Sequence, residues 1–111
     1  MPAKHLLAAA AMLAAGAAAA NEFKPAIVYD LGGRSDGSFN QAAFTGAEQF
    51  KADTGIEYRD FEIQNDAQRE QAIRRFARDG YDPVVAIGFS HANALDKVAA
   101  EFPETNFAII D

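Results

Sequence analysis

Hydrophobic residues in this chain change period several times, and each change marks an element. The opening is one apolar block: from Leu6 to Ala20 there is no charge, only Leu, Ala, Met and Gly. Beyond it, Pro25-Ala26-Ile27-Val28-Tyr29 is a continuous apolar run halted by Asp30, the pattern of a strand buried in a parallel sheet. Helical spacing follows. Ser38 stands at an N-cap position, and Phe39 to Asp53 reads as a helix with Phe39, Ala43, Gly46, Ala47 and Phe50 on its apolar face. Gly55 suits the left-handed cap that would end it.

From Ile56 to Ile63, apolar and charged residues alternate, which predicts a half-exposed strand near a sheet edge. Asn65 or Asp66 caps a second helix that reaches about Asp79, buries Ala72, Ile73, Phe76 and Ala77, and ends at Gly80. Pro83-Val84-Val85-Ala86-Ile87 is a second buried strand, closed by Gly88-Phe89-Ser90. A third helix from about His91 to Phe102 stops at Pro103, and Asn106-Phe107-Ala108-Ile109-Ile110 is a last buried strand before Asp111. Strands and helices thus alternate throughout. That order predicts an α/β fold, a parallel sheet with covering helices joined by right-handed crossovers. No helix follows the final strand to cover it, so the chain reads as part of a larger protein.

The opening block has a separate explanation. Lys4 and His5 form a basic start, and Ala18 and Ala20 satisfy the A-x-A pattern just before Asn21. Residues 1–20 are therefore expected to be a cleavable secretory signal peptide, directing residues 21–111 to the periplasm. A membrane span needs about 20 apolar residues, usually bulky ones; this run is shorter and mostly alanine. An alanine-rich soluble helix would normally carry a polar face, which is missing here. The sequence contains no cysteine, which argues against disulfides and against a lipid on an N-terminal cysteine, so no stable membrane anchor is expected. The net charge of −6 offers no electrostatic case for nucleic acid or an anionic membrane.

Ligands of open α/β sheets sit outside the carboxyl ends of the strands. Three such ends are distinctive: Asp30 with its long loop, Gly88-Phe89-Ser90, and Asp111. The loop from Asp30 to Asn40 carries three glycines, two acids, and an aromatic followed by an amide at a helix start. It is not a phosphate cradle, since it fits neither dinucleotide nor P-loop spacing and its acids would repel an anion. His91 has no second His or Cys to complete a metal site, and Arg69, Arg74, Arg75 and Arg78 read as a solvated helix face. No nucleophile is arranged for catalysis, and no cofactor is called for.

The combination Asp30…Asp36…Ser38-Phe39-Asn40 resembles the signature of the basic membrane protein family, which includes purine nucleoside receptors and other binding proteins of ABC importers. The likeness extends through Gln41, Gly46, Gly88-Phe89 and Phe102-Pro103 to Phe107-Ala108-Ile109-Ile110-Asp111, from about Lys24 to the last residue. It implies half of the first lobe of a type I periplasmic-binding-protein fold, with a small nucleoside-like ligand and an ABC permease as partners, and no chemistry performed. It further implies that Phe39 stacks on a base, that Asn40 bonds its edge, and that Asp30 and Asp111 accept hydrogen bonds from base or ribose. Gly88 would admit the ligand to the backbone and Phe89 would add wall.

Each residue also has a plainer reading. Phe39 at a helix start could anchor a core, and Asn40 could be an exposed first-turn residue. Asp36 fits a loop-ordering carboxylate accepting backbone N–H groups, and Asp30 a partner for a helix dipole. Ser38 needs no role beyond the cap. Two competing functions stand beside the transport reading. One is an exported enzyme using Asp30 and Asp111 at adjacent strand ends; the other is a truncated product with no independent function.

Overall fold

A computed structural model describes residues 23–111; the signal-peptide segment lies outside the described residues. The elements are β1 (Ala26–Tyr29), α1 (Phe39–Thr54), β2 (Arg59–Glu62), α2 (Ala67–Arg78), β3 (Val84–Ile87), a 3-10 turn (Phe89–His91), α3 (Ala92–Glu101) and β4 (Phe107–Ile110). All pairings are parallel, in the order β2-β1-β3-β4. The alternating α/β order read from the pattern is therefore the order found. No described helix is long and apolar enough to cross a membrane.

Alternation along the strands gives the sheet two unlike faces. On one, Val28, Val84 and Ala86 pack with Ile63 against Ala72 and Ile73 of α2 and Val98 of α3, with Phe76, Leu95, Phe102 and Phe107 around the margin. This is the core. Each fully buried Val or Ile there contributes about 1.5–3 kcal/mol relative to exposure. Arg74 braces the two helices, paired at 2.7 Å with both Glu70 and Glu101.

The other face departs from expectation. The predicted apolar stripe of α1 is not sealed: Phe39 and Gly46 are exposed, Ala43, Ala47 and Phe50 are half-buried, and the one buried residue of the helix is Asn40. Ala43, Gly46, Ala47 and Phe50 of that stripe nonetheless line the side of the helix towards the sheet. Between α1 and the sheet an apolar groove of about 360 Å³ remains, lined by residues such as Ile27, Phe50, Val85 and Ile110. The last strand was also expected to be buried. Instead β4 is an edge strand, with Phe107 half-buried and Ala108, Ile109 and Ile110 exposed. At the opposite edge β2 is half-exposed as predicted, but shortened to four residues.

The caps follow local chemistry. Gly55 takes φ +73° and donates its N–H to the Lys51 carbonyl at 2.8 Å, the left-handed cap expected for it. Ser38 occupies the N-cap position of α1, but its side chain makes no capping bond. Asp36 does that work instead. Its Oδ1 accepts the N–H groups of Ser38 and Gln41 at 2.8 and 3.0 Å, and its Oδ2 that of Asn40 at 3.3 Å. Burial pushes this carboxyl up, but those N–H donors outweigh it and hold it below its ordinary value.

Candidate functional site

Because β1, β3 and β4 are neighbours and parallel, their carboxyl ends deliver Asp30, Gly88 and Asp111 to one rim of the sheet. The Gly88 N–H donates to the Ile110 carbonyl at 2.8 Å, tying the last two ends together. Helix α1 starts beside this rim with Phe39, and the 3-10 turn starts there with Phe89. Both rings face solvent, at 42% and 69% exposure, so neither anchors the core. Asp111 is exposed at the end of the same rim.

Asp30 is the best-held polar group of the rim. Its Oδ1 accepts the Leu31 N–H at 2.8 Å and is paired with Arg69 Nη1 at 2.7 Å. Its Oδ2 has no hydrogen-bond partner among the described residues. Burial pushes the carboxyl up, but the Leu31 N–H and the Arg69 guanidinium outweigh it and hold the group below its ordinary value. The result is an ionised acceptor with one oxygen tied and one free. Gly88 makes this placement possible: at φ +106° it has no side chain, and a Cβ built there would lie 2.5 Å from Asp30 Oδ2. The need for glycine thus comes first from the Asp30 carboxylate, not from a ligand as the sequence reading had it.

Asn40 also takes a different role from the one expected. It is 2% exposed. Its Oδ1 accepts the Asp30 N–H at 3.0 Å, and its Nδ2 donates to the carbonyls of Asp30 and Leu31 at 3.1 and 3.2 Å. The amide is spent on the strand end, so it fixes the backbone that carries Asp30 and does not face the cleft.

Arg69 and His91 are the residues that sequence reasoning placed wrongly or passed over. Arg69 is 7% exposed, not part of a solvated face. Besides Asp30, it meets Asp66 Oδ1 through Nε and Nη2, each at 2.9 Å. Its Nη1 lies 3.5 Å from Nδ1 of the fully buried His91. A guanidinium can only donate, so in this contact Nδ1 is on the acceptor side; Nε2 is buried with no hydrogen-bond partner among the described residues. Burial, and then the Arg69 charge, push the imidazole below its ordinary value. A signal for Arg69 was present: it shares the i, i+3, i+4, i+7 row of Ala72, Ile73 and Phe76, the predicted apolar stripe of α2. Arg75 and Arg78 are exposed, as expected.

The acid pair required by the enzyme alternative does not form. Strand β3 stands between β1 and β4, so their ends are two strand spacings apart, about 10 Å. Asp30 is, moreover, already paired with an arginine. Among the described residues, no cluster of three His, Asp or Glu is placed to hold a metal ion.

Comparison with known proteins covers the same span. The family model described as "ABC transporter substrate-binding protein PnrA-like" matches residues 23–111. A lipoprotein of Pyrococcus abyssi is 36% identical over 93 residues, covering 83% of this chain and 23% of its own length. The ABC transporter nucleoside-binding protein BmpA of Lactococcus lactis subsp. cremoris is 32% identical over 96 residues, covering 81% of this chain and 27% of its own. Among solved structures, an ABC transporter solute-binding protein of Aeropyrum pernix K1 superposes with a TM-score of 0.74 at 33% identity, covering 80% of this chain and 24% of the other. One from Conexibacter woesei gives 0.65 at 35% identity, covering 77% and 28%. The chain spans about a quarter of the length of these relatives.

Proposed function

The chain belongs to the family of PnrA-like ABC transporter substrate-binding proteins, and on that premise we propose that it captures a purine nucleoside, or a solute of closely similar chemistry, outside the cytoplasm for delivery to a permease. The observation that carries this reading is the rim itself: the solvent-facing ring of Phe39 stands at the edge that holds an ionised carboxylate with one unpaired oxygen. A base offers a π-face to Phe39, with Phe89 as further wall, while ribose hydroxyls and ring N–H groups are donors that suit Asp30 Oδ2 and Asp111. Asn40 serves by holding the strand end. The BmpA relative is named for nucleoside binding, and others are named as lipoproteins, which supports both the ligand class and the extracytoplasmic location.

In this reading residues 1–20 are the export signal and residues 21–111 belong to the first of two lobes that close on the ligand. Calorimetry with inosine tests it, run on this chain and on a version extended by any native downstream sequence. Saturable binding is expected of the extended version, with this chain alone binding weakly or not at all because the second lobe would complete the site. Phe39→Ala should weaken that binding by roughly 1–3 kcal/mol, the range for aromatic–base stacking. Absence of saturable binding in both versions, or affinity indifferent to Phe39→Ala, overturns the proposal.

A further inference from the structure

We infer that Arg69 is a positioning residue for the binding site, clamping the Asp30 carboxylate so that Oδ2 alone is offered to the donor groups of a ligand. The inference rests on the strand-end reading above and adds to it a residue on another element, which itself faces no ligand.

The geometry supports it in three respects. First, the clamp has a defined sense: Nη1 of Arg69 meets Oδ1, the oxygen that also accepts the Leu31 N–H, and leaves Oδ2 unpaired among the described residues. Second, Arg69 is itself fixed. Asp66 holds its Nε and Nη2 edge, and the neutral His91 ring lies against Nη1. With the side chain buried and engaged on these sides, the guanidinium has little freedom to follow a rotating carboxylate. Third, the carboxylate is seated against Gly88, where a Cβ would lie 2.5 Å from Oδ2, so the missing side chain there is what lets Asp30 hold this orientation. Removing Arg69 frees the carboxylate to rotate and to take up a proton, and a protonated Asp30 is no longer an acceptor-only group. Asp66, His91 and the Leu31 N–H are the other polar groups facing this cluster, from α2, the 3-10 turn and the loop after β1.

Two measurements test the inference. The first is the titration of the Asp30 side-chain carbon by NMR, which needs no ligand. In the unaltered protein Asp30 should titrate below the ordinary aspartate value; in Arg69→Met it should titrate at or above that value, with Arg69→Lys between. A titration unchanged in Arg69→Met overturns the clamp. If Arg69→Met fails to fold, Arg69→Lys and Asp66→Asn carry the test, and an Asp30 titration unmoved in both overturns it as well. The second is calorimetry with inosine as the probe. Arg69→Met should weaken binding at least tenfold, and it should lose further affinity at a higher pH than the unaltered protein does as the pH is lowered through the ordinary aspartate range. Equal affinities with and without Arg69 overturn its role in the site. If neither this chain nor its extended version binds inosine, the nucleoside reading fails, while the Asp30 titration still decides the clamp on its own.

Discussion

His91 is fully buried with a neutral ring, and this fixes how stability depends on pH. Burial and the Arg69 charge hold its folded-state pKa below the ordinary 6.5. Below pH 6.5 the unfolded chain therefore binds a proton that the folded chain resists, and stability falls as the pH drops through that window. Urea midpoints should be flat with respect to this group well above pH 6.5 and decline as the pH falls through and below it, and His91→Gln should flatten the decline. Asp30 acts lower down: its folded pKa lies below 3.8, so its contribution is complete above that pH and is lost as the carboxyl protonates. Asn40 makes a simpler prediction. Asn40→Ala removes three hydrogen bonds and strands a backbone N–H, which should cost about 2–3 kcal/mol in urea unfolding. Asn40 was legible as a residue of the site but not as one whose amide is consumed. The pattern fixes where a side chain starts, whereas its partners come from a backbone ten residues away.

Elements were more legible than contacts, for a physical reason. Each central strand is a short run of Val, Ile and Ala, with Tyr29 ending β1, bounded by Pro, Gly or Asp, and β2 shows the alternation of an edge. Helix α1 was placed correctly along the chain, and Ala43, Gly46, Ala47 and Phe50 of its predicted face line the groove against the sheet. Those residues leave the groove open, and the Asn40 bonds tie the start of the helix to the end of β1. Two glycines at element ends separate strain from collision. At Gly55, φ is +73° and a Cβ would meet nothing within 4 Å, so Gly55→Ala should cost about 1–2 kcal/mol of stability from backbone strain alone, with inosine affinity unchanged. At Gly88 the same substitution adds a methyl group 2.5 Å from Asp30 Oδ2. Gly88→Ala should therefore lower stability and also reduce affinity at least tenfold, because the carboxylate must turn away from its pairing with Arg69. Paired calorimetry and urea titrations of the two variants read the difference.

The molecule as a whole is asymmetric about its sheet. One face is closed by α2 and α3 over a continuous core, while the other keeps an open apolar groove beneath α1, with Ile110 48% exposed at its border. Sequence alone could not show this, because Ile73 and Ile110 both sit in apolar rows and differ only in what the rest of the fold lays over them. Stability should follow that asymmetry. Ile73→Ala empties a site with no exposure and neighbours on both helices and the sheet, and should cost about 2–4 kcal/mol. Ile110→Ser trades a half-exposed side chain for a hydrated one and should stay within about 0.5 kcal/mol. Urea midpoints of the two variants compare the faces directly: a loss at Ile110 as large as that at Ile73 would show that the outer face is closed in solution.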